Sequence, residues 1–204
     1  CWAVDVLRIL PLFSADTRVC IDDCFGLKEV HLTSVHTAVS DLSLCCYEEE
    51  VAVTLLGALT APCLRKFYFT GHFSILPITA FFDRSSCALT LLAIRRAQGQ
   101  YPNGFQVALD LLTLLASPHA RDIVDLEVEL NPMPKQFADA LVAGTIVPNL
   151  RALTLQNCHW LDGGPGAVAS PVFQSLWLSH PRLPFSQVIQ ALKSSGLEVV
   201  TFSE

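Results

Sequence analysis

The sequence predicts an α/β solenoid with a curved parallel sheet and helices on its convex side. Three observations lead there: an apolar pattern of strand type, its return at nearly constant steps, and helical spacing of apolar residues in between.

The pattern is L-x-x-L-x-L, with large apolar residues at positions one, four and six. Allowing substitutions, it occurs as Leu27/Val30/Leu32, Val39/Leu42/Leu44, Leu64/Phe67/Phe69, Leu89/Leu92/Ile94, Ile123/Leu126/Val128, Leu150/Leu153/Leu155, Phe173/Leu176/Leu178 and Leu197/Val200/Phe202. First positions are separated by 12, 25, 25, 34, 27, 23 and 24 residues. Most steps fall in or near the ~20–29-residue period of leucine-rich repeats. Positions four and six of a strand point the same way and bury together, while position five faces out. Asn131 and Cys158 stand three residues beyond the last leucine, where such repeats satisfy backbone groups inside the turn. Two links are irregular. The 12-residue step is too short for a helical crossover, so either the Val39 strand is false or its repeat is degenerate; the 34-residue step carries the loop from Gln98 to Gly104.

Between strands the spacing becomes helical, as parallel neighbours require. Val51, Leu55, Ala58 and Leu59 share one face, and Phe105, Ala108, Leu109, Leu112 and Leu115 another, entered at Asn103-Gly104 and left at Ser117-Pro118. Phe137, Ala140 and Leu141 follow Pro132 and Pro134 and stop at Gly144, and Val188, Ile189 and Leu192 sit between Ser186 and Gly196. Residues 1–26 are expected to flank or cap the repeats, which would occupy 27–204.

Composition narrows the function classes. With 51% hydrophobic and 16% charged residues, disorder is excluded. The apolar stretches Val51–Leu64 and Phe67–Phe82 are interrupted by Gly57, Pro62, Gly71 and Pro77 and fall short of the ~20 residues of a spanning helix. The net charge of −6 argues against a phosphate-backbone binder, so neither nucleic acid nor membrane is expected as a partner. Met133 is the only methionine, so the sequence is expected to belong to a longer chain. Irregularly placed cysteines, several in apolar runs, fit reduced thiols in the cytoplasm or nucleus.

Chemistry-bearing clusters are weak. Cys20, Cys24 and Cys45-Cys46 lack the CxxC spacing of a zinc site, and Cys158, His159 and Asp162 are neighbours in sequence without a positioned base. Gly163-Gly164-Pro165-Gly166 lacks the Lys-Ser/Thr of a phosphate loop, and Glu48-Glu49-Glu50 precede a helix whose dipole they favour. No catalytic residue, metal or cofactor is expected.

The chain resembles the degenerate leucine-rich-repeat region of fungal F-box-like proteins. The likeness is carried by Leu55–Phe67, by Phe82–Thr90, by Val147–Leu155 and by Ser195–Val200, and it runs from about Leu27 to the end. The resemblance implies a substrate receptor whose repeats hold a protein to be modified, with an adaptor of a cullin ubiquitin ligase as a second partner if an F-box lies upstream. The repeat register places the partner-binding residues on the concave face: His31, Arg65, Lys66, Tyr68, Arg95, Arg96, Asp125, Glu127, Arg151 and Trp177. The competing expectation is a small α/β enzyme with a pocket at the strand ends, and a degenerate structural copy is a third. Strand order separates the first two, because a doubly wound sheet reverses order at a switch point whereas a solenoid sets each strand beside its sequence neighbour.

Overall fold

The structure is a computed structural model that describes residues 2–26, 34–71, 74–96, 104–129, 135–156, 194 and 199–203. Its strands are β1 (Arg18–Cys24), β2 (Val35–His36), β3 (Asp41–Cys46), β4 (Leu59–Thr60), β5 (Lys66–Gly71), β6 (Leu91–Arg96), β7 (Asp125–Glu129), β8 (Ala152–Gln156) and β9 (Val199–Ser203). Seven of them form one parallel sheet in the order β1-β3-β5-β6-β7-β8-β9, while β2 and β4 make a separate parallel pair. The strand order shows no reversal. Among the described strands, the crevice that a doubly wound sheet opens at its switch point is therefore not formed.

Positions four and six of the leucine pattern stack in register across the sheet. One row runs Val19, Leu42, Phe67, Leu92, Leu126, Leu153, Val200, and the next Ile21, Leu44, Phe69, Ile94, Val128, Leu155, Phe202. From β1 to β8 these side chains are buried and belong to one apolar cluster with the helices. The strands read as alternating buried and half-buried residues, as a sheet covered on one face must.

Two expectations about strand placement are corrected. The Val39 segment does supply a strand, β3, and the 12-residue step disappears because the neighbour of β3 is β1. Val19 precedes Leu42 by 23 residues, an ordinary step, but position one of that unit is Asp16, so the leucine pattern passes over it. The sheet thus begins at Arg18, within the segment expected to flank the repeats. Because β3 bonds directly to β1 and β9 directly to β8, the expected strands at Leu27 and Phe173 are not interposed at either place. Both segments lie outside the described residues, as do Asn131 and Cys158.

A second repeating device lies just before each strand. The carbonyl at position two accepts from the amides at positions two and three of the next unit: Ser40 from Arg65 and Lys66, Arg65 from Thr90 and Leu91, Thr90 from Val124 and Asp125, and Val124 from Arg151 and Ala152, at 2.7–3.2 Å. The ladder so gains one more rung outside the strands proper, leaving fewer backbone groups to be satisfied by water. Side chains reinforce these joints: Ala61 N–H donates to buried Ser85 Oγ at 2.9 Å and Asn149 Nδ2 to the Arg121 carbonyl at 3.0 Å.

The four crossovers between β3 and β8 are helical. α1 (Ala3–Ile9) precedes the sheet, and α2 (Glu49–Ala58), α3 (Leu76–Ser85), α4 (Gly104–Leu115) and α5 (Lys135–Val142) follow β3, β5, β6 and β7. α2 starts at the glutamate run, where carboxylates meet the positive end of the dipole, and Glu49 also accepts from Ser74 N–H at 3.3 Å. α3 was hidden in sequence: Pro77 reads as an interruption of an apolar stretch, yet it sits in the first turn, where its missing amide costs nothing. α3 ends at Ser86 in the left-handed conformation (φ 49°) and buries Ile78, Phe81 and Phe82. α5 stops at Gly144 (φ 64°), whose amide donates to Leu141 while Thr145 donates to Ala140, the pair of bonds of a Schellman motif. α4 occupies its expected range but is rotated: it buries Ala108, Leu111, Leu114 and Leu115, with Leu112 partly covered and Gln106, Asp110 and Thr113 along its polar side. With leucine on most sides, periodicity alone does not fix the rotation of such a helix. Among the described residues no helix is long and apolar enough to cross a membrane.

Candidate interaction surface on the open sheet face

The face opposite the helices presents positions three, five and seven. These residues stay outside the apolar cluster and are half-buried or exposed, apart from Ala93. In register they form the row Arg18, Asp41, Lys66, Leu91, Asp125, Ala152 and the row Cys20, Ser43, Tyr68, Ala93, Glu127, Thr154. Arg95, Glu129 and Gln156 stand one step further along their strands.

Two polar groups organise this face. Around β1, β3 and β5, Arg18 lies 3.7 Å from Asp41 and its guanidinium sits 5.3 Å from the centroid of the Tyr68 ring. Around β6, β7 and β8, Arg95 makes a bidentate pair with Glu127 (2.5 and 2.9 Å), and Gln156 Nε2 donates to the same carboxylate at 2.6 Å. The planar fork of arginine matches the two carboxylate oxygens, so this pair has a defined geometry that an ammonium would not give. Ala93 stands between Tyr68 and Glu127 in the row and is itself buried.

The electrostatics follow from partial burial. Burial raises the Tyr68 phenol above its ordinary range, with Asp41 adding to the effect and Arg18 opposing it. The hydrogen bond to Glu127 raises Arg95. Burial, then repulsion from Glu127, raises the Asp125 carboxyl. A carboxyl raised in the fold withdraws stability as pH climbs through its folded range, because the ionised form is the costly one there. Asp125→Asn is therefore expected to raise the thermal midpoint at pH 7 and to lose that advantage as pH falls below the carboxylate range. A gain that stays constant with pH would show that the charge is not the cause.

Of the residues expected at the binding face, Lys66, Tyr68, Arg95, Asp125 and Glu127 come together on it. Arg65 and Arg151 do not. They are exposed residues that precede β5 and β8, at the rim where the carbonyl ladder runs, and Arg65 Nη1 donates to the Ala88 carbonyl of the next unit at 3.3 Å. Arg96 ends β6 opposite Gly71, with its side chain outside the described residues; His31 and Trp177 lie outside them altogether. Arg18, Asp41 and Gln156 were missed. Arg18 stood in the segment read as flanking and Asp41 in the unit left in doubt, whereas Gln156 holds position seven, the place Arg95 has in its own unit. Among the described residues no group of His, Cys, Asp and Glu is arranged to hold a metal ion.

No family model, curated protein or solved structure matches this chain.

Proposed function

We propose that the chain is a protein-interaction module of leucine-rich-repeat type, whose open sheet face captures a partner protein. The observation that carries this reading is the alignment of Arg18, Tyr68, Arg95, Glu127 and Gln156 on a face that leaves the apolar cluster to the other side. Arginine and tyrosine combine large rigid surface with polar handles and dominate interface energetics. Monotonic strand order supports repeat architecture over a ligand crevice. By its sequence resemblance the module is further proposed as the substrate-recognition region of an F-box-like ubiquitin ligase receptor, in the cytoplasm or nucleus. An upstream F-box would recruit the cullin-ligase adaptor.

The test is affinity capture with identification of bound proteins, run beside variants. Tyr68→Ala combined with Arg95→Ala should reduce capture of the specific partner at least tenfold. The thermal midpoint should move by only a few degrees, because exposed ion pairs contribute little to folding. Arg151→Ala, at the rim, should leave capture unchanged. Equal capture by the face variant would contradict the proposal.

A further inference from the structure

The end of β1 carries an irregularity that the leucine pattern does not require. Arg18 to Ile21 pair residue by residue with Asp41 to Leu44, but Cys24 then pairs with Cys46, so β1 holds one extra residue there. The extra residue is accommodated by Asp23 in the left-handed conformation (φ 52°), which a non-glycine side chain adopts at a cost. Bulges of this kind re-aim side chains. Here the result is that Cys24 and Cys46 face each other across two adjacent strands, both buried, at 1% and 0% exposure, and both on the apolar side. Neighbouring strands run ~4.8 Å apart, within the ~4.4–6.8 Å between Cα atoms that a disulfide spans.

We propose that Cys24 and Cys46 are a redox-responsive dithiol that closes to a disulfide on exposure to a hydroperoxide, fastening β1 to β3. Cys24 lies on the outer of the two strands and is assigned as the attacking thiol, with Cys46 on the inner strand as the resolving one; the interaction between the two sulfurs acts in the same direction, lowering Cys24 and raising Cys46. The Cys24 thiolate attacks the peroxide oxygen, giving sulfenic acid and, with one proton, an alcohol or water. Cys46 sulfur then displaces the sulfenic oxygen, which leaves as water with the Cys46 proton. Two thiols are oxidised to one disulfide and one peroxide bond is reduced. Access comes from β1 standing at the edge of the sheet among the described strands, where it can open locally.

Trypsin places Cys24 in residues 19–28 and Cys46 in residues 29–65, which also contain Cys20 and Cys45 with Cys63. The test therefore treats the full chain carrying Cys20→Ser, Cys45→Ser and Cys63→Ser with hydrogen peroxide and maps the digest by mass spectrometry. Peptides 19–28 and 29–65 should appear joined, lighter by two hydrogens than their sum, and the thermal midpoint should rise by roughly 5 °C. Wild-type protein should form the same link, and Cys24→Ser should lose it. Both cysteines remaining alkylatable in folded, peroxide-treated protein, or a wild-type link joining Cys24 to Cys20 or Cys45 instead, would overturn the proposal. If the triple variant does not fold, fragmentation of the joined wild-type peptides decides between the same outcomes.

Discussion

Phe67→Ala is expected to cost about 4 kcal/mol of folding stability and to lower the thermal midpoint by roughly 10 °C. The ring is fully buried in the inward row, with Leu42 on one side and Leu92 on the other. It is also where sheet and helix meet: Phe81 and Phe82 of α3 lie 5.6 and 5.3 Å from it, the latter edge-on, and Phe69 lies 6.2 Å away. Truncation removes the transfer energy of a large side chain and leaves a void. Phe81 and Phe82 are consecutive on one rigid helix and cannot both swing in to fill it. Chemical denaturation measures the loss. A change below about 1.5 kcal/mol would mean that this cluster is not the core.

Gly71→Ala is the second large effect, expected at about 3 kcal/mol. The demand is for space rather than an unusual dihedral. A Cβ at Gly71 would stand 2.1 Å from the Cys46 carbonyl oxygen and 3.2 Å from its carbon, and backbone in a paired strand cannot yield as a flexible side chain can. β5 or β3 must move, and with it the ladder that joins them. Gly57 in α2 is the control, since a Cβ there meets nothing within 4 Å. Gly57→Ala is expected to stabilise by about 0.5–1 kcal/mol through helix propensity. Opposite signs for two glycine-to-alanine changes fourteen residues apart would be difficult to obtain from any fold lacking the β3–β5 approach.

The parallel sheet was legible because its rule is short-range: a residue pair at i and i+2 points one way, and Leu42/Leu44, Phe67/Phe69, Leu92/Ile94, Leu126/Val128 and Leu153/Leu155 all obey it in register. β1 was not legible, since Asp16 holds the place of its first leucine and Arg18-Val19-Cys20-Ile21 carries only the alternation. α3 was masked by proline read as a breaker, and the rotation of α4 by too many leucines. The rim and the face were harder to separate. Position two has the parity of the buried residues, but because it precedes the strand its side chain escapes to solvent, as at Arg65 and Arg151. A side chain's exposure there says nothing about membership of the open face. Partnership across strands was likewise beyond reading from one unit: the fork from Arg95 to Glu127 and the bond from Gln156 join three strands spread over sixty-one residues.

The measurement that bears most directly on the account is the set of interstrand nuclear Overhauser effects in isotopically labelled protein. Tyr68 should show cross-strand contacts to Ser43 and Ala93, and Glu127 to Ala93 and Thr154. A backbone contact joining Ser43 directly to Glu127, or placing β7 beside β3, would contradict the sequential strand order on which both the buried rows and the open face rest.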